Sequence, residues 1–158
     1  MKAKFVLAAA AALAWATPVT AQIITATNPN SIVQALQAGG YRAQLGRDSN
    51  GDPKIDTAAG GTNFIVYFFD CTNGRDCRAV QLHSSYEMDT VPALSRLNEW
   101  NRDHRYGRAF ISGNNFPTME MDINLDAGGG MSRALFLDNV ELFTTLLPQF
   151  ERMIGWGN

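Results

Sequence analysis

The chain has 158 residues, of which 46% are hydrophobic and 18% charged, and its 14 glycines and 6 prolines are too few for a disordered or collagen-like chain. This length and composition predict a single globular domain. The formal net charge is −2, and binding to a phosphate backbone requires clustered lysines and arginines, so we expect no nucleic-acid partner.

Residues 1–21 have the three-part pattern of a secretory signal peptide. Lys2 and Lys4 precede an apolar run of 11 residues over 5–15, and residues 19–21 form a small-residue cleavage site. A membrane-spanning helix needs about 20 apolar residues, roughly twice the length of this run. We therefore expect cleavage after Ala21, a periplasmic or secreted protein without membrane insertion, and a single domain over residues 22–158.

The mature chain begins with a predicted helix followed by two strands. Residues 30–38 favour a short helix, because Asn30 can cap its start and a Gly-Gly pair ends it. Residues 41–45 then predict a strand, and residues 54–56 begin the returning strand.

The connection between these strands is rich in turn residues. Asp48, Asn50 and Asp52 match the first, third and fifth positions of a calcium-binding loop. The match then fails, because Pro53 stands where glycine is needed and Ala59 where the bidentate glutamate belongs. We interpret the segment as a tight turn without a metal.

The central hairpin contains both cysteines of the chain. Residues 63–71 are rich in β-branched and aromatic side chains and predict a central strand, with residues 77–86 as its partner. Because an exported chain meets an oxidising environment, Cys71 and Cys77 are expected to form a disulfide. A simple two-residue Asn-Gly turn would place them on opposite faces, so the disulfide requires a five-residue loop or a bulge.

Alternation along this hairpin divides its side chains between two faces. The predicted core face comprises Phe64, Val66, Phe68, Val80 and Leu82. The opposite face carries Ile65, Tyr67 and Phe69 beside the polar Gln81 and His83. We expect a helix of the same chain to cover this second face; the alternative is a dimer or client surface anchored by Tyr67 and Phe69.

The second half of the chain predicts two helices around two strands. The first helix has Asp89 or Thr90 as its N-cap and Pro92 in its first turn, and three apolar residues recur on one side: Leu94, Leu97 and Trp100. Residues 108–112 predict a strand, and residues 118–125 predict a second, half-solvated strand. Its inward residues are Met119, Met121, Ile123 and Leu125, and its outward residues are Thr118, Glu120, Asp122 and Asn124.

Residues 132–154 predict a long amphipathic final helix. Its inward residues are Phe136, Val140, Phe143, Leu147, Phe150 and Ile154. The element order is then α-β-β-β-β-α-β-β-α, which predicts an α+β fold: a largely antiparallel sheet packed by three helices.

No motif for catalysis or cofactor binding is visible. His83 adjoins Ser84 and Ser85, but neighbours in a strand point to opposite faces, and no nucleophile motif is present. Glu120 and Asp122 share a strand face, which on an edge-like strand is more often simply solvated. We therefore expect no enzymatic activity, no metal and no cofactor.

Basic residues are concentrated in residues 96–108. They would form an anion site only if their side chains converged on one point. The arginines are Arg96, Arg102, Arg105 and Arg108, with His104 among them. Glu99 and Asp103 partly neutralise this run, and cations suit the end of a helix, so a solvated helix end is the favoured interpretation. Trp100 and Asn101 are candidate partner contacts, although the favoured interpretation places Trp100 in the core and Asn101 on carbonyls near the helix end.

Residues 98–110 (NEWNRDHRYGRAF) resemble the signature stretch of the YbjN domain family of bacteria. Supporting pieces are residues 69–71 with Cys77, the acidic strand at 120–122, and Gly129-Gly130 before the final helix. The resemblance covers about residues 28–154. It implies a regulator of sensory transduction with a fold like that of type III secretion chaperones, which are small α+β proteins that dimerise and bind partners. It carries over no catalytic residues.

The combined expectation is a non-enzymatic, exported binding, chaperone-like or regulatory module that acts through protein–protein contacts in the cell envelope. Its protein partner is unknown, and a homodimer is one form of assembly to test. Candidate contact residues are Ile65, Tyr67, Phe69, Trp100, Asn101, Arg102 and Arg105. The alternative is a small-ligand or anion sensor that uses residues 96–108, and a hydrolase is the least favoured function.

Overall fold

The computed structural model of the protein describes residues 22–125 and 129–157, so the predicted signal peptide lies outside the described residues. The helices are α1 (Pro29–Ala38), α2 (Leu94–Asp103) and α3 (Arg133–Ile154). The strands are β1 (Ile23–Ile24), β2 (Arg42–Arg47), β3 (Pro53–Ala59), β4 (Thr62–Phe69), β5 (Ala79–Ser85), β6 (Arg108–Ile111), β7 (Pro117–Asn124) and β8 (Met131–Ser132).

Strands β2 to β7 form a six-stranded antiparallel sheet in the order β2-β3-β4-β5-β7-β6, and β1 pairs with β8 in a separate two-stranded ribbon. The predicted α+β fold, with three helices and an antiparallel sheet, is confirmed. The short β1–β8 ribbon is an addition to the predicted order, since two-residue strands give no periodic signal. It joins the start of the described chain to the N-terminus of α3.

Two helices begin at other residues than the sequence indicates. Helix α1 begins at Pro29 with Asn28 as N-cap instead of Asn30, because proline suits the first position of a helix. Helix α2 begins at Leu94 with Ala93 as N-cap, so the predicted caps at Asp89 and Thr90 are wrong. Pro92 lies before α2, where it disfavours helical backbone at the preceding residue and delays the helix.

The core lies between one face of the sheet and the helices. The ring of Phe64 on β4 contacts that of Phe143 on α3 (5.6 Å between centroids), and Trp100 on α2 contacts Phe150 on α3 (5.4 Å). Every predicted inward residue of β4, β5, β7 and α3 is buried. Leu94 is the exception in α2, since it is 67% exposed whereas Leu97 and Trp100 are buried.

The disulfide between Cys71 and Cys77 forms as predicted, and a bulge sets its register. The ladder pairs Phe69 with Ala79, and continuing it would place Cys71 opposite Cys77. The turn itself pairs Thr72 with Arg75 around Asn73 and Gly74, both with positive φ, as in a type I′ turn. One extra residue, Asp76 with φ of 50°, therefore lies on the Cys77 side and brings the sulfurs together.

The loop between β2 and β3 is the tight turn that the sequence predicts. Asp48 accepts hydrogen bonds at Oδ1 from the backbone N–H of Asn50 (2.9 Å) and of Asp52 (3.0 Å). Gly51 has φ of +87°, which favours glycine. The carboxylate of Asp48 thus organises its own loop. Within the described residues, no three His, Cys, Asp or Glu side chains are arranged to hold a metal ion.

Candidate interaction surface

One face of the six-stranded sheet has no helix against it among the described residues. Helix α3 contacts the core face through Phe143, α2 packs beside α3 through Trp100, and α1 also contacts α3. All three helices therefore lie on the side of Phe64. The expectation that a helix covers the face of Tyr67 and Phe69 is wrong, because each helix has a single apolar stripe and uses it on the core side. We call this helix-free side the open face.

Aromatic and aliphatic side chains lie along β4 on the open face. Phe69 is 45% exposed, and Ile65 and Tyr67 are half-buried. The ring of Tyr67 meets the ring of His83 on β5 edge-on, with 5.2 Å between centroids. These residues form the most apolar strip of a surface whose other side chains are mostly polar.

A buried carboxylate organises the open face beside this strip. Glu120 on β7 is 8% exposed, and its two oxygens contact different side chains. Oε1 lies 3.0 Å from Nδ1 of His83 on β5, and Oε2 accepts from Arg108 on β6 at 2.5 Å. The three strands β5, β7 and β6 are thus linked through the Glu120 carboxylate across one row of paired residues.

The interpretation of Glu120 as a solvated residue on an edge-like strand is wrong. Strand β7 lies between β5 and β6, and β6 pairs with it along residues 117–120. Both neighbours therefore bury Glu120 and Thr118, the latter at 0% exposure. Asp122, the next residue on this face, is exposed and accepts from Gln81 Nε2 at 2.8 Å. The sequence shows the arginine at 108 and the alternating carboxylates of residues 117–124, but not that these two strands are neighbours.

A shallow groove of about 520 Å³ crosses the open face. Its floor is formed by Tyr67, Gln81 and His83, and its walls by Lys54 on β3 and by the turn at residues 48–50. Phe69, Arg47 and Glu120 complete the lining. The groove combines aromatic surface with both signs of charge, a composition that suits a polypeptide.

Trp100 and Asn101 have structural roles in this molecule. Trp100 is 4% exposed, and its indole N–H donates to the carbonyl of Gly107 at 2.6 Å. Asn101 uses both ends of its amide on the backbone of Ala109. The core interpretation of Trp100 is confirmed, whereas Asn101 bonds to strand β6 and not to carbonyls at the helix end.

The structure does not gather the four arginines of residues 96–108 into one site. Arg102 pairs with its neighbour Asp103 (2.8 and 3.0 Å), and this hydrogen bond lowers the pKa of the Asp103 carboxyl. Arg105 lies over the ring of Tyr106, and Arg108 lies on the open face with Glu120. Arg102 and Arg105 are exposed near the end of α2, apart from the β4 strip formed by the other candidate contacts.

The chain matches the YbjN family, described as "Putative bacterial sensory transduction regulator", over residues 28–156. It belongs to the YbjN family. No curated protein and no solved structure matches the chain, so the predicted likeness to type III secretion chaperones stays a prediction. The description of the YbjN family is that of a regulator and not of an enzyme. Within the described part of the chain, no helix is both long enough and apolar enough to cross a membrane.

Proposed function

We propose that this YbjN protein is an exported, non-enzymatic regulator that binds a protein partner in the cell envelope through its open face. The observation that carries the proposal is the uncovered strip of Ile65, Tyr67 and Phe69 beside a groove of about 520 Å³. Apolar strips of this kind rarely stay exposed without a role.

The electrostatics of the open face suit binding without a large desolvation penalty. Glu120, the most buried charge on this face, already has His83 and Arg108 as partners, and Gln81 is bonded to Asp122. A partner that covers them does not strand an unpaired charge, which would cost several kcal/mol. The aromatic side chains of Tyr67 and Phe69 then supply the apolar area that dominates binding energy.

Two observations support location in the envelope. The first 21 residues carry the signal-peptide pattern, and the Cys71–Cys77 disulfide is typical of oxidising compartments. The intact mass of the protein recovered from periplasm or medium should correspond to a chain that begins at Gln22. Recovery of the uncleaved chain from the membrane fraction would contradict export.

Site-specific photo-crosslinking in the producing cell tests the binding surface. A photoreactive residue at Phe69 should give a discrete adduct, whereas the same residue at Leu94, which is 67% exposed on α2, should not. An adduct with the mass of two chains identifies a homodimer, and one with a second protein identifies the partner. Equal crosslinking from both positions would contradict a specific open-face contact.

The double variant Tyr67→Ser, Phe69→Ser separates binding from stability. Because both side chains are only partly buried on the helix-free side, we expect a folded protein that no longer forms the Phe69-dependent complex. Urea denaturation and size-exclusion chromatography measure the two properties. A variant that unfolds would assign these aromatics to the core, and a folded variant with unchanged association would remove the open face from the interaction.

A further inference from the structure

The two edge strands of the six-stranded sheet differ in whether their outward backbone N–H and C=O groups have hydrogen-bond partners. Strand order places β2 at one edge and β6 at the other. An edge strand carries backbone N–H and C=O groups without a strand partner, which can pair with another extended chain. The side chains around each edge therefore decide whether it is closed or open to such pairing.

The β6 edge is covered at Ala109 by a side chain that imitates a strand. Asn101 donates from Nδ2 to the carbonyl of Ala109 and accepts at Oδ1 from the N–H of the same residue, both at 2.8 Å. Ala109 thus has its outward donor and acceptor satisfied. Each edge strand has a helix beside it, α2 at β6 and α1 at β2, so the two edges differ in this bidentate amide and not in helix contact. An incoming strand would have to displace Asn101.

The β2 edge is open along much of its length. Within the described residues its one strand neighbour is β3, and its side chains are all exposed or half-buried, with Leu45 at 41% exposure. Gln37 donates to the carbonyl of Ala43 at 3.2 Å near the start of the strand. The backbone N–H of Ala43 therefore remains available for pairing. At Leu45, no side chain of the described part of the chain covers the backbone N–H and C=O in the way that Asn101 covers those of Ala109.

A second groove lies beside the end of β2. It has a volume of about 490 Å³ and is lined by Leu45 to Arg47 of β2, by Pro53, by Ala26 and Pro29 near the start of α1, and by Cys77 with its loop. Side chains of a strand added to β2 would alternate between the open face and this groove. Backbone pairing with a pocket for alternate side chains is a recurrent mode of peptide recognition.

We propose that β2 binds an extended, acidic peptide segment of a partner protein as a seventh strand, with apolar side chains of the segment in the second groove. The positive charge of this edge favours an acidic peptide over a second copy of the chain. Strand β2 carries Arg42 and Arg47 and no carboxylate, and the groove holds Arg47 and Arg75 against one carboxylate, Asp76. A second copy paired at β2 would bring these cations together, whereas glutamates or aspartates of a partner strand meet opposite charge.

The test uses a fluorescein-labelled decapeptide of alternating glutamate and valine and the purified protein at low salt. We expect saturable binding by anisotropy and backbone amide shifts in the NMR spectrum that are confined to residues 42–47 and the second groove. The same peptide with lysine for glutamate should bind several-fold more weakly. A version N-methylated at alternate amides should not bind, because it lacks donors for strand pairing.

Matched variants localise the charge effect. Arg42→Glu should weaken binding several-fold and keep the fold, since the Arg42 side chain is exposed and its hydrogen bond is to the side chain of Asn63 on β4. Arg96→Glu, an exposed arginine on α2, makes the same change in net charge and should leave binding unchanged. The double variant Tyr67→Ser, Phe69→Ser should also retain peptide binding, which distinguishes this edge from the open face.

Three results would overturn the proposal. Equal binding of the N-methylated peptide would show electrostatic adhesion without strand pairing. Amide shifts at residues 108–111 instead of 42–47 would place the contact at the other edge. A dimer in sedimentation velocity that is lost in Leu45→Lys would make a second copy, not an acidic peptide, the occupant of β2.

Discussion

The side-chain amide of Asn101 forms two hydrogen bonds of 2.8 Å with the backbone of Ala109. The preceding residue of α2, Trp100, donates from its indole to the carbonyl of Gly107 at 2.6 Å. Two consecutive side chains of one helix thus hold alternate residues of the chain that enters β6. These contacts fix α2 against the sheet edge and explain Trp100 and Asn101 without a partner.

Removal of this amide should destabilise the protein and uncover the β6 edge at Ala109. Asn101→Ala loses two side-chain hydrogen bonds and exposes the outward groups of Ala109, which we expect to lower the free energy of unfolding by about 1–3 kcal/mol. Urea denaturation measures the loss, and sedimentation velocity should show increased self-association through β6. Asn98→Ala, an exposed residue on the same helix, is the control. Similar behaviour of the two variants would contradict the role of Asn101.

The sequence predicts best the features that repeat locally. Alternation along β7 correctly places Met119, Met121 and Ile123 in the core, and helical spacing does the same for Phe136 and Phe143 of α3. Each of these patterns depends on one element and its burial against a neighbour, whatever that neighbour is.

The open face could not be predicted with the same success, because it depends on the order of the strands. Glu120 is buried since β6 returns to the outer side of β7 and brings Arg108 opposite it. No local pattern reports that pairing. Tyr67 likewise has no helix over it because all three helices pack on the other side of the sheet. Strand β4 is apolar on both faces, so its sequence does not indicate which face the helices cover.

The carboxylate of Glu120 should stabilise the fold through its contacts with His83 and Arg108. Glu120→Gln keeps the shape but removes the charge, and we expect a loss of about 1–2 kcal/mol at pH 7 because the group is largely buried. The exposure of Arg108 limits the effect, since water screens one side of the pair. Glu99→Gln on α2 is exposed and should change the urea midpoint little. Equal midpoints for both variants would contradict a structural role for Glu120.

The disulfide should stabilise the oxidised protein by restricting the unfolded chain. Closing the short loop from Cys71 to Cys77 predicts about 2 kcal/mol in the chain-entropy model. Cys77→Ser should therefore lower the melting temperature under oxidising conditions, and dithiothreitol should lower that of the wild type towards the same value. Differential scanning calorimetry with and without reductant makes the comparison. A wild-type melting temperature that ignores the reductant would contradict this contribution.

Tyr86 should make the protein sensitive to alkaline pH. Burial raises the pKa of its hydroxyl above the ordinary value of 10.0, and the nearby Glu151 carboxylate, which accepts its hydrogen bond at 3.2 Å, raises it further. Because the unfolded tyrosine loses its proton more easily than the folded one, its contribution is complete below pH 10 and declines as the pH rises beyond that value.

Tyr86→Phe removes this group while keeping the ring that packs against Phe150 and Trp156. At pH 7 we expect a loss of about 1 kcal/mol for the missing hydrogen bond. Above pH 10 the wild type should lose up to about 1.4 kcal/mol more per pH unit than the variant, so the two stability curves converge. Urea denaturation between pH 7 and 11 measures both curves. Tyr106→Phe changes an exposed hydroxyl and should follow the wild type. Parallel stability curves for Tyr86→Phe and the wild type would show that the buried hydroxyl does not control the loss of stability at alkaline pH.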